Sequence, residues 1–288
     1  MSKMPAYGPD SPSIGVVFCP KVTADNECNL SLGQRILCAM KLLFSLVAAV
    51  GLMAPALAAQ SPVVVELFTS EGCSSCPPAD ALLVKLSQMD GPGLPQVIVL
   101  GEHVDYWNHI GWTDRFSSPQ FSQRQDGYAR HFGLASAYTP QMVIDGQRQL
   151  VGNDASGVGH QIDAAAKTEK PAKISVTQLT NGHYTVSVQA PNEKGKVLLA
   201  ITEDSLSSEV KAGENSGRTL RHAGVVRELR TIGSLKNGSF DGTVDVPLKR
   251  DWNPANVKAV VFVQQGDFGP ILGAAYLRIS TNPSMNAY

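Results

Sequence analysis

Apolar positions along the chain follow two regimes. From about Ser61 to Lys170, short apolar runs alternate with stretches at helical spacing. Val63-Val64-Val65-Glu66-Leu67-Phe68 is rich in β-branched and aromatic residues and predicts a buried strand. Ala79, Leu82, Leu83 and Leu86 recur at helical spacing, so the stretch from Pro77 to Leu86 predicts a helix. A second strand, Gln96 to Leu100, follows the breaker Gly91-Pro92-Gly93-Leu94-Pro95. Phe121, Arg124, Gln125, Tyr128 and Phe132 suit a helix that starts near Ser117-Ser118-Pro119. After a loop at Tyr138-Thr139-Pro140 come a strand, a tight Asp145-Gly146 turn and a return strand from Gln147 to Val151. This βα order with a terminal hairpin implies a mixed sheet flanked by helices, an α/β class.

From about Pro171 the pattern changes to strands. Lys173 to Leu179, His183 to Gln189, Lys196 to Thr202, Gly242 to Val246, Val257 to Gln264 and Ile271 to Ile279 are alternating or β-branched. Turn signals such as Asn181-Gly182, Lys194-Gly195 and Asn237-Gly238 separate several of them. Strands at this spacing with few helices predict a mostly antiparallel, sandwich-like arrangement. Two domains, residues 60–170 and 171–288, are the simplest division.

The N-terminus sets the compartment. Met40-Lys41 precedes an apolar run from Leu42 to Met53 and a small-residue ending, Ala54-Pro55-Ala56-Leu57-Ala58-Ala59. That is the pattern of a secretory signal peptide over residues 40–59, cleaved near Ala58 or Ala59. The rival reading is a membrane anchor, since Leu42 to Ala59 is nearly long enough to span; Pro55 and the alanine-rich end argue against it. No stable membrane span is then expected after cleavage, and the protein is expected in the periplasm or secreted. Residues 1–39 show no periodicity and read as a non-native or disordered extension, with translation beginning at Met40.

Three of the five cysteines, Cys19, Cys28 and Cys38, lie upstream of that signal. The mature chain of about 230 residues keeps only Cys73 and Cys76. A net charge of −1 with no basic stripe excludes nucleic-acid binding and strong electrostatic attachment to membranes.

Cys73-Ser74-Ser75-Cys76 falls between the first strand and the first helix. Pro77 and Pro78 suit the first turn of that helix, so it starts near Cys76 and Cys73 sits just ahead of it. The positive end of the helix dipole favours a thiolate there, and thiolate is the form that attacks a disulfide. Cys76 is placed to resolve a mixed disulfide. The alternative is a structural clip that never cycles.

Glu66-Leu67-Phe68, Cys73 to Pro77 and Tyr138-Thr139-Pro140 resemble the corresponding parts of the thioredoxin fold. A longer signature runs from Val65 to Asp80, with Val104-Asp105-Tyr106-Trp107, Tyr138 to Met142 and Gly213 to His222. It resembles a family of bacterial secreted proteins that carries the label domain of unknown function 1223. The resemblance implies a thioredoxin-like core and says little about the role.

Roles for single residues follow, those of Thr139, Pro140 and Glu66 from the resemblance and the others from position along the chain. Thr139-Pro140 would be a cis peptide facing the dithiol, presenting the Thr139 backbone to an incoming strand; the other reading is a trans proline in a surface loop. Glu66 would be the buried acid that moves protons during exchange, although it lies one residue farther from Cys73 than is usual; the other reading is a solvent-facing glutamate. His103 and Asp105 follow the second strand, where His103 would tune Cys73 or join Cys73 and Cys76 around a soft ion such as Cu(I); the other reading is a structural histidine. Asn215, Arg218, Arg221 and His222 form a polar loop that covers the dithiol or is a solvated hairpin. The functional expectation is an extracytoplasmic thiol–disulfide oxidoreductase acting on protein thiols and disulfides with a redox partner, and needing no cofactor. A copper-binding protein and an interaction module with an inert disulfide are the alternatives.

Overall fold

In the computed structural model, strand β1 (Val63–Thr69) is buried along its whole length. Its side chains feed two apolar clusters on opposite faces. Val63, Val65 and Leu67 pack with Ala79, Leu83 and Leu86 of helix α1 (Pro77–Ser87). Val64 and Phe68 pack with Phe121 and Tyr128 of helix α2 (Pro119–His131). Period-two alternation therefore assigns each β1 residue to one helix or the other. The structure describes residues 60–279 except Asp90 and Asn181, so the signal-peptide and extension readings, residues 1–59, lie outside the described residues.

β1 runs parallel to β2 (Val97–His103) and antiparallel to β3 (Gln141–Ile144), which turns at Asp145-Gly146 into β4 (Arg148–Val151). Helix α3 (Ala155–Ala166), capped by the Asp154 side chain on Gly157 N, closes this part. Sequence periodicity missed α3, because Gly157 and Gly159 weaken its helical signal.

Among the described residues the β-rich part adds nine strands, of which the first eight are β5 (Lys173–Thr180), β6 (His183–Gln189), β7 (Lys196–Glu203), β8 (Leu206–Glu209), β9 (Thr219–His222), β10 (Val225–Ser234), β11 (Ser239–Asp245) and β12 (Val257–Gln264). β13 (Ile271–Arg278) ends the described chain. One eight-stranded sheet runs β13-β12-β7-β10-β2-β1-β3-β4. The composition change at Lys170–Pro171 thus falls within one sheet that both halves build. Their strand ladder is narrow, with Val225 of β10 paired to Gly101 of β2 and Gly101 N donating to Gly224 O at 2.7 Å. One apolar cluster nevertheless runs across it, packing Phe68 and Tyr128 against Val226 and Phe262.

A three-stranded sheet, β11-β6-β5, covers the β13-β12-β7-β10 end. Tyr184, Val186 and Val188 face Val197, Leu199, Ile201, Val257 and Val261 across the gap. The described chain is a mixed α/β structure with a large mixed sheet, few helices and a sandwich-like antiparallel part. β8 and β9 form a separate two-stranded hairpin, and it leads to the dithiol.

Candidate functional site

Cys73 and Cys76 are joined by a disulfide and both are 0% exposed, while Ser74 and Ser75 between them are exposed. Cys76 is the N-cap of α1, with Pro77 and Pro78 at its first two positions as expected. The Cys76 carbonyl accepts from Ala79 N and Asp80 N, at 2.9 and 3.1 Å. Two of the N–H groups a helix start normally offers are absent because both residues are proline. The axial dipole therefore acts on Cys73 with less direct help from backbone donors.

Thr139-Pro140 is cis, and the two landmarks meet through Ser75. Ser75 Oγ lies 3.4 Å from Cys73 Sγ and donates to Thr139 O at 3.5 Å. Trp107 Nε1 donates to Thr139 Oγ1 at 2.8 Å, and the Trp107 backbone packs against Gly72. Asp105 accepts from Ser122 Oγ at 2.5 Å and faces the start of α2 rather than the cysteines.

Glu66 is fully buried, but the alternation of β1 turns it away from α1. Its carboxylate accepts from Arg124 Nε at 2.6 Å and Tyr128 OH at 2.6 Å. It belongs to a cluster on the α2 face with Glu102, whose carboxyl burial, reinforced by the neighbouring Glu66, holds well above its ordinary range. The structure does not bring Glu66 together with the dithiol.

Other acids surround the cysteines. Glu71, two residues ahead of Cys73, is buried, and its Oε2 accepts from Trp112 Nε1 at 2.8 Å. Glu71 N donates to Asp114 Oδ2 at 2.9 Å. Asp80, one helical turn past Cys76, is buried and accepts from Thr69 Oγ1 at 2.9 Å. His222 of β9 reaches both acids, with Nε2 3.3 Å from Glu71 Oε1 and Nδ1 3.9 Å from Asp80 Oδ1. These nitrogens make no well-aligned hydrogen bond, so the contacts are electrostatic. Burial drives the Glu71 carboxyl upward, yet the facing His222, helped by Ser208 and Trp112, leaves it below its ordinary value. Asp80 goes the other way: burial raises it against the pull of His222 and His103.

His103 is the last residue of β2 rather than part of the loop after it. Its Nδ1 donates to Asp114 Oδ2 at 2.7 Å, and its ring packs edge-on against Phe116 and His222. Burial lowers the imidazole, but Asp114 outweighs it and the net direction is up. Among the described residues no three His, Cys, Asp or Glu side chains converge as a metal site, so Cys73, Cys76 and His103 do not form one in this structure. Sequence reading assigned no role to Glu71, Asp80 or Asp114. The available signal was spacing, since Asp80 stands at i+4 from Cys76 on the same helical face.

The polar loop does cover the dithiol. Between β8 and β9, Asn215 is fully buried and its Nδ2 donates to Glu71 O and Cys73 O, both at 2.9 Å. Glu214 Oε2 accepts from Ser74 N at 3.2 Å. Arg221 and His222 also line a cavity of about 800 Å³, with Lys258 and Arg278; neither cysteine lines it.

Fold and site together define a mixed α/β protein with a C-x-x-C disulfide at a helix start, roofed by a hairpin from its β-rich half. The chain belongs to the family described as protein of unknown function (DUF1223), whose model matches residues 64–264. It is similar to a crystal structure of a protein from Agrobacterium tumefaciens, at 29% identity over 76% of this chain and 95% of that one, with a TM-score of 0.65. It is also similar in fold to HBP35 of Porphyromonas gingivalis, at 14% identity over 80% of this chain and 79% of that one, with a TM-score of 0.61. No curated protein matches the chain.

Proposed function

We propose that this chain is an extracytoplasmic thiol–disulfide oxidoreductase with a thioredoxin-like core, acting on protein substrates through Cys73 and Cys76. The observation that carries the reading is the disulfide at the start of α1, linked through Ser75 to the Thr139 carbonyl. The signal-like segment before Gln60 and the survival of disulfides in oxidising compartments support the location.

From the oxidised state, a substrate thiolate attacks Cys73 Sγ. The Cys73–Cys76 bond breaks and Cys76 leaves as a thiolate. The second substrate thiolate then attacks the substrate sulfur of the mixed disulfide and releases Cys73. The substrate loses two electrons and two protons, and the cysteines gain both. Run in reverse, the same steps reduce a substrate disulfide, and the potential relative to the partner couple sets the direction. Thr139 and Pro140 would border the substrate strand.

A mixed-disulfide trapping assay tests this reading. Cys76→Ser should accumulate a substrate adduct on Cys73, and the wild type should reduce insulin once itself reduced. Equal behaviour of the wild type and Cys73→Ser would end it. The burial of both sulfurs favours a second reading, a disulfide that never cycles. That reading expects the bond to survive in glutathione buffers that reduce exposed disulfides.

A further inference from the structure

We propose that the β8–β9 connection, residues 210–218, is an autoinhibitory cap on the dithiol, displaced by an extended polypeptide whose backbone takes over its hydrogen bonds. The inference rests on the exchange reading above and names what the site admits. Asn215 is buried between exposed Glu214 and exposed Ser216. Its amide therefore sits inside for its hydrogen bonds, not for apolar burial. Arg218 Nη1 donates to Asn215 Oδ1 at 3.2 Å, which fixes the amide with Nδ2 toward Glu71 O and Cys73 O. Glu214 supplies the complementary acceptor to Ser74 N.

The cap thus offers donor hydrogens to two carbonyls and an acceptor to one N–H along the dithiol loop. A side-chain amide has the donor and acceptor chemistry of a peptide group. An extended peptide presents the same groups in alternation, so it satisfies the loop when the cap leaves. A substrate without such a backbone would leave these groups unpaired, which is costly beside a buried dithiol.

The cap is also built to move as a unit. Gly217 N donates to Val210 O at 2.8 Å and Val210 N to Arg218 O at 2.9 Å, closing the segment on itself. Val210 and Leu220 are buried at its two ends, while no apolar side chain between them is buried. Its approach to the Ile110–Trp112 loop is glycine on glycine: a Cβ on Gly111 would come 3.7 Å from Gly213 N. Polar tethers with little apolar burial mark a low-stability opening unit.

The test reads Cys73 access in the reduced mature chain with a bulky maleimide, beside iodoacetamide as the small probe. Glu214→Ala with Asn215→Ala should raise the maleimide rate roughly tenfold, as expected when a few hydrogen bonds of ordinary net strength are lost. It should also narrow the gap between the two probes. Asn215→Asp, which keeps the shape and loses the donor, should act in the same direction. Unchanged rates in folded variants would overturn the cap. If the variants fail to fold, hydrogen exchange on the wild type decides: Ser74 N–H should exchange far faster than β1 amides, and equal protection would overturn the proposal. An activated peptide disulfide then separates the two readings. Raised access without a peptide adduct would sink the exchange reading and the peptide occupant while leaving the cap.

Discussion

His222 Nε2 lies 3.3 Å from Glu71 Oε1, so a side chain of the β-rich half faces a buried carboxylate two residues ahead of Cys73. Glu71 keeps its low carboxyl despite burial chiefly because of this imidazole. His222→Phe would leave the charge to Trp112 and Ser208. We expect a loss of about 2–4 kcal/mol in urea unfolding, near the range for breaking a buried ion pair. Adding Glu71→Gln should recover part of it. Additive losses in the double variant would show that the two residues do not act as a pair.

The His103–Asp114 pair gives a pH signature. His103 is raised above its ordinary 6.5, so its contribution is complete below pH 6.5 and is lost as pH rises through the folded value. Burial raises Asp114, but His103 outweighs it and the carboxyl falls below its ordinary 3.8. Its contribution is therefore present above pH 3.8 and lost as pH falls through the folded value. The stability difference between the wild type and His103→Gln should be greatest between these limits and shrink on both sides. A difference that grows above pH 7 would contradict the assignment.

Much of this was legible in the sequence, and the gaps have physical causes. Apolar runs such as Val63–Phe68 and Val257–Gln264 announce strands because both faces of a central strand are buried. β10 was missed because Arg227, Glu228 and Arg230 interrupt its apolar pattern, with Arg227 paired to Asp251 and Arg230 to Glu228. That strand joins the halves, so missing it hid their common sheet. The dithiol and Thr139-Pro140 are local motifs and can be read directly. The polar loop from Asn215 to His222 reads equally as a cover or a solvated hairpin until the fold places Asn215 on Cys73 O. The acids around the dithiol come from separate segments, and only the fold brings Asp114 and His222 to Glu71. The role of Glu66 rests on the resemblance alone, where the side of the sheet is the deciding property: its carboxylate faces Arg124 and Tyr128 on the α2 side.

Glu102 should be a net cost at neutral pH. Both of its carboxyl oxygens lack a hydrogen-bond partner, and Arg124 Nε, 3.5 Å away, is already engaged by Glu66. A carboxyl raised by burial stays protonated in the fold while the unfolded chain ionises above its ordinary 4.5. Folding then takes up a proton, and stability falls as pH rises from that point. Glu102→Gln should be more stable than the wild type at pH 7 by about 1–3 kcal/mol, with the gain disappearing toward pH 4.5. A variant equally stable at both pH values would show that Glu102 ionises freely in the fold.

Gly224 tests how the halves are held together. It sits at φ 57°, where a Cβ would lie 2.4 Å from Val99 O, and its own carbonyl accepts from Gly101 N across the β2–β10 junction. Gly133, at φ 67° with nothing within 4 Å, is the matched control. Gly133→Ala should cost only the left-handed strain, about 1 kcal/mol. Gly224→Ala carries the same strain and must also push β10 away from β2, so we expect about 2–4 kcal/mol. Fluorescence of Trp112 and Trp252 follows the two sides, since Trp112 borders the dithiol and Trp252 is buried in the sandwich core. In the wild type both signals should change in one transition. In Gly224→Ala they should draw apart to the extent that the β2–β10 ladder, rather than the apolar cluster shared by both halves, couples them. If Gly224→Ala costs no more than Gly133→Ala, the β2–β10 ladder bears little of the coupling, and the apolar cluster that packs Phe68 and Tyr128 against Val226 and Phe262 carries it instead.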